Sequence, residues 1–373
     1  MTLSRRNVLK LSAAALAAPL VLRASDALAS SGSVKVFAWQ DYVQPNIAAK
    51  FEADTGIKLE LTTYGSNDEA MSTVRANGGK GFDIVFPSIT NAPGYVDDAG
   101  ESFFAEIPAE VNSGAVIPSF LRDSATLGGV HNGRQVVLPF NWGTEGITFN
   151  RKVLPVADAD LSFGDLFRPE TVGKAAFRQK SVIMGVGLHL DATGEVPSNR
   201  MLDVYKSEDD ARRVWGAVAQ WIVARRENFG AFWNNATEAT AAFKDAGCII
   251  GQTWDTTGLI LSREEPDYVY RAPKEGIITW LDSFGMLRGA ENRDQAIAFM
   301  NFMLKPETGG MLSDNTGYNS AVAGAADFAS DDFKRQFNEV YTPAVLANMW
   351  WWQADTPFFA PVRDEFVEII TNA

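Results

Sequence analysis

The sequence predicts an α/β protein of two lobes, each a mostly parallel sheet flanked by helices, with a cleft between them. Three observations carry this expectation. β-rich runs and amphipathic helical stretches alternate through the first ninety residues, the order that builds a parallel sheet with helices on its faces. About 340 residues follow a short leader, more than a single core usually accommodates. No Pro/Ser-rich linker, low-complexity tract or internal repeat separates two halves, so the chain is expected to cross between lobes more than once through short hinges.

The leader comes first. Ser4-Arg5-Arg6-Asn7-Val8-Leu9-Lys10 has the form of a twin-arginine n-region, followed by an apolar run from Leu11 to Leu22 and by Ala27-Leu28-Ala29. The run is too short and alanine-rich for a stable membrane span, and Ala-x-Ala suits signal peptidase. Residues 1–29 are therefore expected to be a twin-arginine signal peptide cleaved after Ala29, delivering a folded protein to a bacterial periplasm. No later segment reaches the roughly 18–20 consecutive apolar residues that a spanning helix needs.

The elements then follow in order. Val34 to Ala38 is apolar and reads as a strand. Pro45 suits the first turn of a helix whose Ile47 and Phe51 share one face, with Gly56 at its C-terminal cap. Ile57, Leu59 and Leu61 alternate with polar residues, the period of a strand. Ser66-Asn67-Asp68-Glu69 is a capping box that opens a second helix, and Phe82 to Phe86 is a buried strand closed by Pro87-Ser88. Late in the chain, Asn292 to Gln295 resembles another capping box, leading a helix with Ile297, Met300 and Leu304 inward that ends before Pro306. Ligands of open parallel sheets bind beyond the carboxyl ends of strands. "WQDY" after the first strand and "PSIT" after the third open onto the same edge.

Composition narrows the function. The formal charge is −13 over the full chain, and loss of a leader holding four basic residues and one acid makes it more negative. Such a surface repels nucleic acid and anionic membrane and steers cations inward. Cys248 is the only cysteine, so no intramolecular disulfide can form, and its apolar surroundings read as those of a small buried hydrophobe. There are two histidines, His131 and His189, and neither GxGxxG nor GxxxxGK[ST] occurs. Catalysis is poorly supported, and no metal or cofactor is expected.

Ten tryptophans are present, several at predicted strand ends beside acids. Trp39 precedes Asp41 and Tyr42, Trp254 precedes Asp255, and Trp280 lies two residues before Asp282, on the same face of a strand. Trp350-Trp351-Trp352-Gln353 completes the set. Ring faces attract cations and cover methylenes, and carboxylates pair with ammonium ends. Taken singly, a tryptophan at a strand end is more often core or lobe-interface packing; it is the recurrence of Trp with Asp that points to an alkylammonium ligand.

On "FAWQDYVQPNIAAKFEADTGIKLELTTYGSNDE", "GFDIVFPS", "LPFNWGTEGITFNRK", "APKEGIITWLDSFGML" and "AIAFMNFMLKPE", the chain resembles the periplasmic spermidine/putrescine-binding proteins of ABC importers, within family 1 of the extracellular solute-binding proteins. The resemblance runs through most of the chain beyond the leader. It implies a two-lobed, type II-like periplasmic-binding-protein fold, with 30–140 and 281–327 as lobe 1 and 141–280 and 328–373 as lobe 2. It further implies a monomer that binds a polyamine, hinges shut and docks on a membrane permease, with no catalytic step. Carried residue by residue, it makes Trp39, Tyr42, Trp254 and Trp280 ligand walls, Asp41 and Asp282 ammonium partners, and Ser88, Tyr318 and Gln353 further contacts. Asp191 and Glu195 look like the acidic pair of the family, with His189 beside them structural. Two departures bear on the ligand: Thr90 stands where spermidine-binding members tend to have an aromatic, and Thr257 where putrescine-type members place an acid, which leaves open whether Asp191, Glu195 or Asp255 completes the acidic site. Another solute, such as a different cationic amine, an iron complex, an amino-acid derivative or a sugar, is the alternative, though no Tyr-Tyr pair of the ferric-binding kind occurs. A periplasmic glycosidase using Asp191 and Glu195 is the remote one.

Overall fold

The computed structural model describes residues 32–373; the expected signal peptide and its expected cleavage after Ala29 lie outside the described residues. The alternation read from the sequence is present. β1 (Ser33–Trp39), β2 (Lys58–Tyr64) and β3 (Ile84–Val85) are parallel neighbours, with helices Pro45–Thr55 and Asn67–Ala76 in the crossovers. Pro45 opens the first of these and Gly56 closes it in the left-handed region, φ 72°. At the second, Ser66 Oγ accepts from Glu69 N, while the Glu69 carboxylate accepts from Gly65 N, one residue earlier than a standard box requires. β4 (Val130–His131) and β5 (Arg134–Gln135) form a separate small hairpin.

β6 (Leu138–Asn150) is the long strand of the molecule. Beyond it come β7 (Ala175–Arg178), β8 (Phe229–Trp233), β9 (Ile250–Trp254), β10 (Tyr268–Arg271), β11 (Ile278–Met286), β12 (Asn319–Ser320) and β13 (Trp350–Trp351). The hydrogen-bonded order is β2-β1-β3-β11-β6-β9-β7-β8, with β10 and β12 on β6 and β13 on β11. Two parallel outer halves thus flank an antiparallel centre, β11 against β6.

Two large cores lie on either side of that centre. The first gathers Val36, Phe51, Phe86, Phe104 and Phe299; the second gathers Phe163, Phe177, Val186, Trp215 and Phe359. The central strands belong to both. β6 gives Leu138, Phe140 and Trp142 to the first core and Ile147 and Phe149 to the second, and β11 gives Ile278 to the second and Leu281, Phe284 and Met286 to the first. The segment after residue 330 divides likewise: Phe337, Val340 and Tyr341 pack on the first core, Trp350, Phe359 and Ile370 on the second.

Two details differ from or extend the sequence reading. Asn292 does not cap its own helix, Arg293–Met303. Instead its Nδ2 and backbone N–H donate to Asp83, which also accepts from Lys35 N and Glu291 N, because a buried carboxylate is the stronger acceptor and ties three elements together. Cys248 is buried in a small cluster with Trp233, Phe243 and Tyr268, and burial pushes its thiol up to about 11, an inert side chain.

Candidate functional site

The geometry of the site follows from the pleat of β6. Alternate residues of a strand share a face, so Trp142 and Thr144 point one way, Asn141, Gly143 and Glu145 the other. Trp142 and Thr144 are directed into packed structure. Trp142 lies against Phe120 and Tyr341, and Thr144 Oγ1 is hydrogen-bonded to the hydroxyls of Tyr270 and Tyr341 at 2.7 and 2.8 Å. The opposite face is flanked by candidate site residues. Asn141 is paired in register with Asp282 and Gly143 with Trp280, both from β11, while Glu145 is paired with Trp254 at the end of β9. Between Asn141 and Glu145 the strand advances by about 13 Å.

At the Asn141 end lies an acid without a cationic partner. Asp282 is 5% exposed; its carboxylate accepts from the Tyr42 hydroxyl, and its backbone forms an isolated antiparallel β-bridge with that of Ser88. Burial raises its carboxyl to about 6, against the pull of the Ser88 and Tyr42 hydroxyls. Among the described residues it makes no salt bridge, and both amide atoms of fully buried Asn141 beside it lack hydrogen-bond partners, an expensive state for a sheltered amide unless something else fills it. Aromatic rings surround this end in a continuous chain. Trp39 meets Tyr42 at 6.4 Å, Tyr42 meets Tyr318 edge-on at 6.3 Å, and Tyr318 meets Trp280 edge-on at 5.1 Å.

Gly143 explains how Trp280 comes to lie here. A Cβ on Gly143 would collide with the six-membered ring of the Trp280 indole, so the ring rests directly on the bare backbone of β6. Gly143→Ala is expected to lift Trp280 off the strand and weaken ligand binding about tenfold, read by calorimetric titration alongside the tryptophan emission of the ligand-free protein.

At the Glu145 end the chemistry changes. Glu145 is fully buried and accepts from Ser181 Oγ, from Gln252 Nε2 at 3.1 Å and from Arg178 Nη1. Arg178 ends β7, level with Trp233 on β8. Its guanidinium lies 4.6 Å from the centre of the Trp254 ring. Burial, and then the nearby Arg363, lower its basicity to about 9. Sequence reasoning missed Arg178, Glu145 and Asn141. The available signals were an arginine closing the apolar strand "AAFR" and the two-residue spacing of Asn141, Gly143 and Glu145 along β6.

The expected site residues divide. Trp39, Tyr42, Ser88, Trp280, Asp282 and Tyr318 come together. Trp254 stands at the other end with one face turned to Arg178. Asp41 is exposed in the loop after β1, where its carbonyl accepts from Gln44. Gln353 is half-buried and donates to Trp351 O. Asp191 is occupied by its own loop, accepting from Ser198 N at 2.6 Å and Arg200 N at 2.9 Å, and exposed Glu195 accepts from Trp221 Nε1. The two acids are thus held by different partners. His189 Nδ1 lies 2.9 Å from Ser162 Oγ and 3.1 Å from Glu275 Oε1. Serine and acid thus address the same ring nitrogen, whereas a nucleophilic triad uses both. Asp255 is spent on Thr144 N, Thr256 N and the Tyr341 hydroxyl, and burial raises it to about 7. Across the rim, Asp355 N donates to Thr90 O and Asn91 Nδ2 to Asp355 Oδ2.

Two parallel half-sheets joined by crossing strands, with polar and aromatic side chains gathered where the cores meet, define a solute-binding protein. The chain belongs to the bacterial extracellular solute-binding protein family, whose profile matches residues 46–338. It is 26% identical over 356 residues to the putrescine-binding periplasmic protein PotF of Escherichia coli, covering 90% of each chain. It is 26% identical over 317 residues to the putrescine-binding periplasmic protein SpuD of Pseudomonas aeruginosa, covering 79% of this chain and 80% of that one. The spermidine/putrescine transporter substrate-binding protein PotD of Streptococcus pneumoniae has the same fold, with a TM-score of 0.73 at 20% identity over 91% of this chain and 99% of that one. Among the described residues, no helix is long and apolar enough to cross a membrane.

Proposed function

We propose that this protein is the periplasmic substrate-binding component of an ABC importer and that it captures an aliphatic amine, the polyamines bound by its relatives being the first compounds to try. The observation that carries the amine is Asp282: a buried carboxylate at one end of a chain of aromatic rings, without a cationic partner among the described residues. An ammonium in that position gains a charge-assisted hydrogen bond and cation–π attraction. Trp39, Tyr42, Ser88, Trp280, Asp282 and Tyr318 form the amine pocket, and Asn141 adds an amide to it. The mature chain begins after Ala29, follows the twin-arginine route and acts as a monomer.

The two cores support a two-lobed reading in which β6 and β11 are the crossing hinges. Lobe 1 comprises 30–140 and 281–327 and lobe 2 comprises 141–280 and 328–373, except that Phe337, Val340 and Tyr341 of the last segment pack on the first core. Ligand enters the open cleft, the lobes close, and the closed form docks on the permease. None of these steps requires bond chemistry.

Titration of the purified protein with putrescine, spermidine and neutral sugars, followed by tryptophan fluorescence, tests the reading. Amines are expected to shift the emission and sugars to leave it unchanged; a response to sugars alone defeats the proposal. The pH dependence has a definite sign. The neutral acid attracts ammonium far less than the carboxylate, so affinity falls as pH drops through about 6, approaching tenfold per unit below it.

A further inference from the structure

We infer that the ligand carries a carboxylate at the end opposite its ammonium, held by the guanidinium of Arg178, so that the cleft is built for an amino acid with widely separated charges rather than a diamine. The inference rests on the amine reading of Asp282 and narrows it.

The layout of β6 supplies the argument. Asn141 with Asp282 and Glu145 with Arg178 mark two ends of one strand face, with Trp280 flanking the residue between them. The first end offers a negative group and hydroxyls. The second offers a guanidinium, and its charge is fixed in place: Glu145 takes one of its N–H groups, while Ser181 and Gln252 fill the remaining capacity of that carboxylate. Glu145 therefore serves as a clamp that sets the orientation of the guanidinium. Among the described residues, four of the five N–H donors of Arg178 have no hydrogen bond to a protein acceptor, although its side chain is only 21% exposed. Guanidinium donors arranged as a planar fork match a carboxylate.

A second ammonium is poorly served at this end. The Trp254 face that would receive it already holds Arg178 at 4.6 Å, and an incoming cation would meet a like charge in a sheltered site. Arg363 is near enough to lower the basicity of Arg178; its side chain is 14% exposed and pairs with the exposed Asp364, while its charge also acts on the carboxyl of Asp355.

Isothermal titration calorimetry with three length-matched series tests the inference: unbranched ω-amino acids, α,ω-diamines and α,ω-dicarboxylates of roughly four to ten carbons, a range whose upper end approaches the about 13 Å that β6 advances between its two ends. The ω-amino acids are expected to bind at least about tenfold tighter than the diamines of equal length. In Arg178→Met/Glu145→Gln, which removes the guanidinium without leaving a buried carboxylate unpaired, the ratio of the two affinities is expected to move toward the diamine by about thirtyfold or more. A ratio is read on whatever fraction of the variant is folded, and circular dichroism melting reports that fraction. Diamines binding tighter than ω-amino acids overturn the inference and leave the amine reading standing. Dicarboxylates binding tightest overturn the amine reading, and with it the inference. An unchanged ratio in the double variant removes Arg178 from the site, and no binding in any series removes both readings.

Discussion

Asp282→Asn is expected to lower amine affinity at pH 7.5 by on the order of 100- to 1000-fold, because an ammonium drawn into a closed cleft without its counter-charge forfeits about 3–5 kcal/mol. The same change is expected to stabilise the ligand-free protein. Burial raises the Asp282 carboxyl to about 6 from a usual value near 3.8, so the folded protein holds this proton more tightly than the unfolded chain does. The stabilising contribution is therefore complete below about pH 4 and lost as pH rises through 6. At pH 8 the ionised side chain costs the fold roughly 2–3 kcal/mol, a penalty asparagine does not carry while still accepting from the Tyr42 hydroxyl. Thermal melts at pH 8 and pH 4.5 check this: the variant should melt above the wild type at the higher pH and close to it at the lower. Undiminished affinity for amines would remove Asp282 from the site.

Glu145→Ala acts in the opposite sense. Its carboxylate is the acceptor for Arg178, Ser181 and Gln252, and its loss leaves a sheltered guanidinium and two further donors without their partner. Breaking a buried pair from one side costs about 3–5 kcal/mol, to be read as a fall in the urea midpoint. Glu145→Gln retains an acceptor oxygen and is expected to recover a large part of that loss. If alanine and glutamine behave alike, the hydrogen bonds from Ser181 and Gln252 contribute nothing and the pairing with Arg178 is the whole effect.

Much of the architecture was legible in the sequence because its signals are local. Pro45 and Gly56 bracket a helix through backbone geometry alone, and the apolar runs of β1 and β3 need no knowledge of their neighbours. The aromatic–acid doublets drew attention to Tyr42, Trp280 and Asp282 for a similar reason: Tyr42 follows the end of β1, and Trp280 and Asp282 share a face two residues apart inside β11. What could not be read depended on pairing. Asp255 looked like a cleft acid because it follows Trp254, but register turns it toward Thr144 and Tyr341. Asp191 looked like one of an acidic pair, yet the loop that follows it folds back and supplies its donors. Arg178 drew no notice because an arginine at the end of a strand is ordinarily solvated; only the arrangement of β7, β8 and β9 turns it over Trp254.

The bare backbone at Gly143 and the two anchors on either side of it have a further meaning for how such a cleft diversifies. Side chains on one face of a strand recur every second residue, about 6.6–6.8 Å apart. β6 thus works as a ruler with coarse graduations. Moving an anchor from one graduation to the next changes the length of solute accepted by roughly five methylene groups at once, whereas finer adjustment has to come from the rotamers and lengths of the side chains themselves. Descendants of this chain would therefore change their preferred solute in jumps, with an aromatic ring resting on glycine as the movable spacer.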